Sequence, residues 1–342
     1  MEIFENEKRK LPLPVDSGIL YTVVAIYYVY VSQLLVRFQL NDITTLIFSQ
    51  ILFFAVPPIF LALIRKYDIK ETFRLKTPRP AEVFMMLAMS PVMVIAATCA
   101  GFIALLGIKT FFGRVYITGE VADYMSHGIL VSLLLVAVLP ALCEELLFRG
   151  MIQRGMERLG AGWGIFLSGF MFGLFHFDFQ RLAAQTMIGI IAAYVVYRTG
   201  SIFNGMILHF MNNAMLTLLS DFYAKAGPGM NAQVVTDPFA TPEFIELAEQ
   251  FNMTLNQLLG TMAAIFAVVM VCSIVIIVVM LLVLRSMTRA TVKEPERIRG
   301  SAKGLLAGLP GLFLILMVYL SLGLILLNNE NGLKILQMLG MA

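Results

Sequence analysis

Long apolar runs separated by short polar loops set the pattern of this chain. Nine runs approach the ~20 residues that a helix needs to cross a bilayer: 17–36, 45–64, 81–106, 129–148, 163–177, 183–197, 201–219, 261–284 and 305–327. The pattern predicts an all-α, polytopic integral membrane helix bundle. The three runs between 163 and 219 are short, which predicts a packed bundle of locally irregular depth.

Charge in the connecting loops alternates. Lys8, Arg9 and Lys10 precede the first run, and a basic loop at 65–79 follows the second. Arg149, Arg154 and Arg158 follow the fourth run, Arg198 the sixth, and a basic loop at 285–303 the eighth. The other loops carry only Arg37, Lys109 with Arg114, Arg181, Lys225 and Lys334. Cytoplasmic loops hold the excess of Lys and Arg, so nine spans predict a cytoplasmic N-terminus and an external C-terminus.

The loop at 220–260 is different. Acids recur at Asp221, Asp237, Glu243, Glu246 and Glu249. Thr241-Pro242-Glu243 reads as an N-cap, a first-turn proline and an acidic first turn. Phe244, Leu247, Phe251, Leu255 and Leu258 then follow at helical spacing, predicting an amphipathic surface helix that braces the bundle. We divide the chain into N-terminal spans (1–128), a central core (129–220), and an external segment with two last spans (221–342), all within one membrane domain. No internal repeat is evident, which disfavours a transporter built from repeats.

Composition agrees. The chain has 342 residues, of which 59% are hydrophobic and 14% charged, against about 25% charged in soluble domains. The net charge of +3 lies at membrane edges and gives nucleic-acid binding no support. Cys99, Cys143 and Cys272 all lie in apolar runs, without metal or disulfide spacing. The polar N-terminus lacks a signal-peptide layout, so the first run is read as a retained span in a multi-pass protein of the cell membrane or an endomembrane.

Chemistry enters in the fourth run. Glu144, Glu145 and Arg149 stand in an apolar helix, where each charge costs roughly 2.5–3.5 kcal/mol near the membrane centre. Residues four apart share a helix face, so Glu145 and Arg149 pair, while Glu144 is rotated about 100° away. This makes Glu145–Arg149 a structural ion pair and Glu144 the working carboxylate. Phe172/His176 and His209/Asn213 form two further pairs at the same spacing. If the fourth helix continues past Arg149 to Leu159, Glu144 lies sixteen residues before Gly160 and His176 sixteen after it. In an antiparallel hairpin both then lie about 24 Å from the turn. His127, in a loop, is read as having no role, and Cys143 as a small buried residue.

One carboxylate and two histidines allow two chemistries. Glu144, His176 and His209 can bind Zn2+ with an open position for water. Alternatively, Glu144 and His176 activate water without metal, while His209 and Asn213 donate to the developing oxyanion. The amide of Asn213 suits the second role better, and we favour no metal cofactor.

The ordered set Glu144-Glu145-x-x-x-Arg149, Phe172-x-x-x-His176 and His209-x-x-x-Asn213 resembles the CPBP family: type II CAAX prenyl endopeptidases, and bacteriocin-processing or Abi proteins. The resemblance implies an intramembrane endopeptidase. The first glutamate and first histidine would activate water, and the second histidine and asparagine would form the oxyanion site. The family is conventionally labelled a metalloprotease, and a metal-free glutamate mechanism is also argued for it. The expected substrate is a membrane-associated, lipidated or amphipathic peptide, cleaved near its C-terminus. Prenylated CAAX processing, bacteriocin or signal-peptide maturation, and self-immunity stay open. So does the rival reading of a non-catalytic scaffold, immunity factor or proton-coupled carrier built on the same polar cluster.

Overall fold

Each apolar run becomes a helix because lipid offers its backbone no hydrogen-bond partner. The structure is a computed structural model that describes residues 10–31, 38, 40–115, 127–226, 239 and 241–341. Lys8, Arg9, Arg37, Asp237, the polar segment before residue 10 and the end of the first run lie outside those residues.

Eight described helices have the length and composition to span a membrane: α1 (Pro14–Val31), α2 (Ile43–Ile64), α3 (Pro80–Phe112), α4 (Ile129–Leu159), α6 (Phe179–Thr199), α7 (Ile202–Ala226), α9 (Leu255–Met287) and α10 (Ser301–Leu326). Between α4 and α6 lies α5 (Ala161–Leu174), with only 14 residues. At 1.5 Å per residue it reaches about 21 Å, short of a ~30 Å hydrocarbon core. The nine expected spans are therefore eight long helices and one short one. Two of the three runs expected to be short, α6 and α7, have full length.

The short helix is shielded by close packing. A Cβ on Gly169 would stand 2.5 Å from the Ile190 nitrogen, and one on Gly173 2.2 Å from the Thr186 hydroxyl. Glycine at these positions lets α5 and α6 touch backbone to backbone.

Sequence signals mark the helix ends. Pro14 and Pro80 stand at first-turn positions, Asn41 caps the Thr44 N–H at 2.8 Å before α2, and α3 stops at Gly113 with φ 79°. Prolines also explain irregular turns. A proline has no N–H and clashes with the carbonyl four residues back. Gln50–Ala55 before Pro57 and Leu133–Val138 before Pro140 widen to π-helical geometry; Leu146–Ile152 has the same geometry with no proline near it.

The expected surface helix is corrected. It forms as α8 (Pro242–Gln250) and breaks at Phe251, and Asn252 adopts φ 52°. Thr241 has the N-cap backbone conformation but makes no side-chain cap. Thr254 instead caps the start of α9, so Leu255 and Leu258 belong to that long helix. A last short helix, α11 (Asn331–Met338), follows α10.

The helix order defines two ends. At the proximal end, where α1 begins, the connections interlock. Ser17 donates to the Ile152 carbonyl at 3.0 Å, and the Ile298 N–H reaches the Arg158 carbonyl at 3.0 Å. Tyr67 donates to Asp16 at 2.6 Å; its phenol is pushed up by burial and by that carboxylate. Arg74 grips both oxygens of Glu157 at 2.8 and 2.6 Å, and both residues are buried. Removing one partner of a buried pair costs about 3–5 kcal/mol. Glu157→Ala is therefore expected to lower the midpoint of thermal unfolding in detergent, followed by size-exclusion chromatography; an unchanged midpoint would show that the pair holds nothing together. At the distal end, Tyr319 donates to the Leu174 carbonyl at 3.3 Å, and Arg114 reaches the Leu326 carbonyl at 2.8 Å.

Candidate active site

The fourth helix does run unbroken to Leu159, as the depth argument requires. Glu144 and Glu145 close its central α-helical segment, Leu139–Glu145, between two π-helical ones. Glu145 and Arg149 are fully buried and pair at 2.9 Å. Arg149 also donates to the Gly189 carbonyl at 3.2 Å, and its guanidinium stands 4.4 Å above the Phe172 ring. The expected ion pair is present, and Phe172 is the surface on which it rests.

Glu144 lies on the other side. Its carboxylate accepts from Gln50 at 3.0 Å and lines a cavity of about 620 Å³. His176, His209 and Asn213 line the same cavity. The structure therefore brings together the four residues expected to carry chemistry.

His176 differs in detail from expectation. It sits just past the end of α5, in the turn before Phe177, rather than inside a helix. Its Nδ1 lies 3.1 Å from the Phe172 carbonyl, which accepts when Nδ1 carries the proton and then turns a bare Nε2 outward. The i, i+4 relation thus works through the backbone as well as through the rings, whose centroids are 5.0 Å apart.

His209 touches both glutamates unequally. Its Nδ1 lies 3.0 Å from Glu145, while Nε2 lies 3.9 Å from Glu144. Glu145 is thus more than a partner for Arg149, because it also fixes the ring of His209. Gly205 makes room for it: a Cβ there would come within 2.6 Å of the second Glu145 oxygen.

Asn213 is held by the consequence of a proline. Pro140 cannot donate to the Val136 carbonyl, four residues back. That oxygen accepts the Asn213 amide at 2.9 Å, and Asn212 donates to the Asn213 oxygen at 3.0 Å. The amide nitrogen has two hydrogens, so one can anchor it while the other serves the cavity.

Sequence reasoning missed Gln50, although a lone amide in the apolar run of α2 was a signal. It also missed Gln180, Arg181, Gln185 and Thr217, which give the cavity a polar wall. Arg181 pairs with Asp178 at 3.4 Å. His127 lies on an exposed turn before α4, and Ser168 donates to the Phe148 carbonyl at 3.0 Å, a packing role.

The Glu144, His176 and His209 donors do not converge as a metal would need. Among the described residues, no three His, Cys, Asp or Glu side chains are grouped to hold an ion. As placed, the three side chains are not grouped to hold zinc.

A helical bundle enclosing carboxylates, imidazoles and an amide at mid-depth defines a multi-pass membrane protein with a polar interior site. The family described as type II CAAX prenyl endopeptidase Rce1-like matches at residues 126–215, about a quarter of the chain. This stretch holds Glu144, Glu145, Arg149, Phe172, His176, His209 and Asn213. The match implies intramembrane endopeptidase activity in general terms. No curated protein and no solved structure matches the chain.

Proposed function

We propose that the protein hydrolyses a peptide bond of a membrane-associated substrate using water activated by Glu144. The convergence of all three sequence motifs on one cavity carries this reading. Glu144 takes a proton from water as the oxygen attacks the scissile carbonyl, and His176, across the cavity, orients that water through Nε2. The carbonyl oxygen gains negative charge. It is met by the second amide hydrogen of Asn213 and by Nε2 of His209 when that nitrogen carries a proton. When the tetrahedral intermediate collapses, the C–N bond breaks and Glu144 returns its proton to the departing amine. Burial strengthens each of these contacts relative to water.

Peptides anchored by a lipid or an amphipathic segment suit a site at this depth, and the family match points to cleavage near the C-terminus. The test compares peptide termini, by mass spectrometry, in membranes from cells making wild-type protein or His176→Ala at equal abundance. Termini present only with wild type are expected, and they identify the substrate. Identical profiles would favour the non-catalytic scaffold instead. On an identified substrate, cleavage is expected to persist in a divalent-metal chelator; loss restored by added zinc would overturn the metal-free mechanism.

A further inference from the structure

The cavity has a direction. Most of its lining comes from the distal halves of the helices: Gln50 near the start of α2, Pro140 in the first half of α4, Gln180 at the start of α6, and Ser220 near the end of α7, while Glu144 at the middle of α4 and His209 in the proximal half of α7 mark its deep end. Toward the proximal end the space is floored. Leu147, Phe148, Arg149, Met151, Ile152 and Gln153 are each 0% exposed. A second hollow, lined by Thr77, Pro78, Leu142 and Phe203, is apolar and contains none of the four site residues. At the distal side, Asp178, Arg181 and Ser220 are partly or fully open to the surface.

The charges have the opposite polarity. Among the described residues, sixteen Lys and Arg lie at or beyond the proximal helix ends, and five at the distal ends. The loop between α9 and α10 alone exposes Arg289, Lys293, Arg297 and Arg299. Short loops with this excess stay on the cytoplasmic side. Acids are evenly shared between the ends and count for little in that rule.

We infer that the cavity opens on the non-cytoplasmic face of the membrane, and that the substrate is a peptide reaching the membrane from that side. The second half rests on the endopeptidase reading; the first does not. Such a substrate is an exported or translocated chain, or the outward-facing end of a membrane-anchored one. A lipidated tail confined to the cytosol would meet the closed floor.

Single cysteines test the direction in bacterial cells, in a Cys272→Ser background. Cys99 and Cys143 are buried and remain. Thr291→Cys reports the basic loop, Asn329→Cys the distal surface and Ser220→Cys the cavity mouth. A membrane-impermeant maleimide is applied to intact and to permeabilised cells. Asn329→Cys and Ser220→Cys are expected to label equally in both, and Thr291→Cys only after permeabilisation. Labelling of Thr291→Cys in intact cells overturns the inference. So does Ser220→Cys that labels only after permeabilisation, or in neither state. The two readings fail separately. A cytoplasmic mouth with cleavage abolished by Glu144→Gln would keep the endopeptidase and sink the direction. An outward mouth with no cleavage would do the reverse.

Discussion

Glu144→Gln is expected to reduce cleavage about 10²–10⁴-fold, the usual contribution of a positioned general acid–base, without lowering the yield of folded protein. Glutamine has the same shape, and its carbonyl can still accept from Gln50, which donates to Glu144 at 3.0 Å. No buried counter-ion is orphaned, because Arg149 is served by Glu145. The comparison is kcat/KM on an identified substrate, alongside the midpoint of thermal unfolding. Retained cleavage would remove Glu144 from its role. Loss of both quantities together would make it a structural residue.

Glu145→Ala and Arg149→Ala are expected to act through folding. Each leaves a fully buried charge without its partner, at about 3–5 kcal/mol, a large share of a typical 5–15 kcal/mol total. Little folded protein is expected from either. Replacing both by apolar groups, Glu145→Leu with Arg149→Met, removes both charges and should recover much of the folded yield. It should not recover cleavage, because Glu145 also holds Nδ1 of His209 at 3.0 Å. A double variant that cleaves normally would show that this contact does not position His209. Glu144 and Glu145 variants that behave alike would end the division of labour between them.

Much of this arrangement was legible in the sequence because helical spacing is rigid. A separation of four residues paired Glu145 with Arg149 and freed Glu144. Equal distances from Gly160 set Glu144 and His176 at one depth, and both line the cavity. What escaped was information carried between helices. The bond from Gln50 depends on how α2 packs against α4, which periodicity within either helix does not encode. The dual role of Glu145 arose because α7 brings His209 against it. The break of α8 at Asn252 was a local signal overridden by an apolar rhythm that ran on into α9. The short α5 was visible as a short run, but its tolerance of that length depends on glycines meeting α6.

The floor beneath the site has a kinetic consequence. A chamber closed at its proximal end offers no exit on that side, and where the distal mouth is the route of entry both fragments withdraw through the opening that admitted the intact chain. The fragment nearer the floor leaves last, and a new substrate cannot enter until it has gone. Turnover is then set by retreat rather than by bond breaking whenever that fragment binds well, and short peptides resembling it should act as competitive inhibitors.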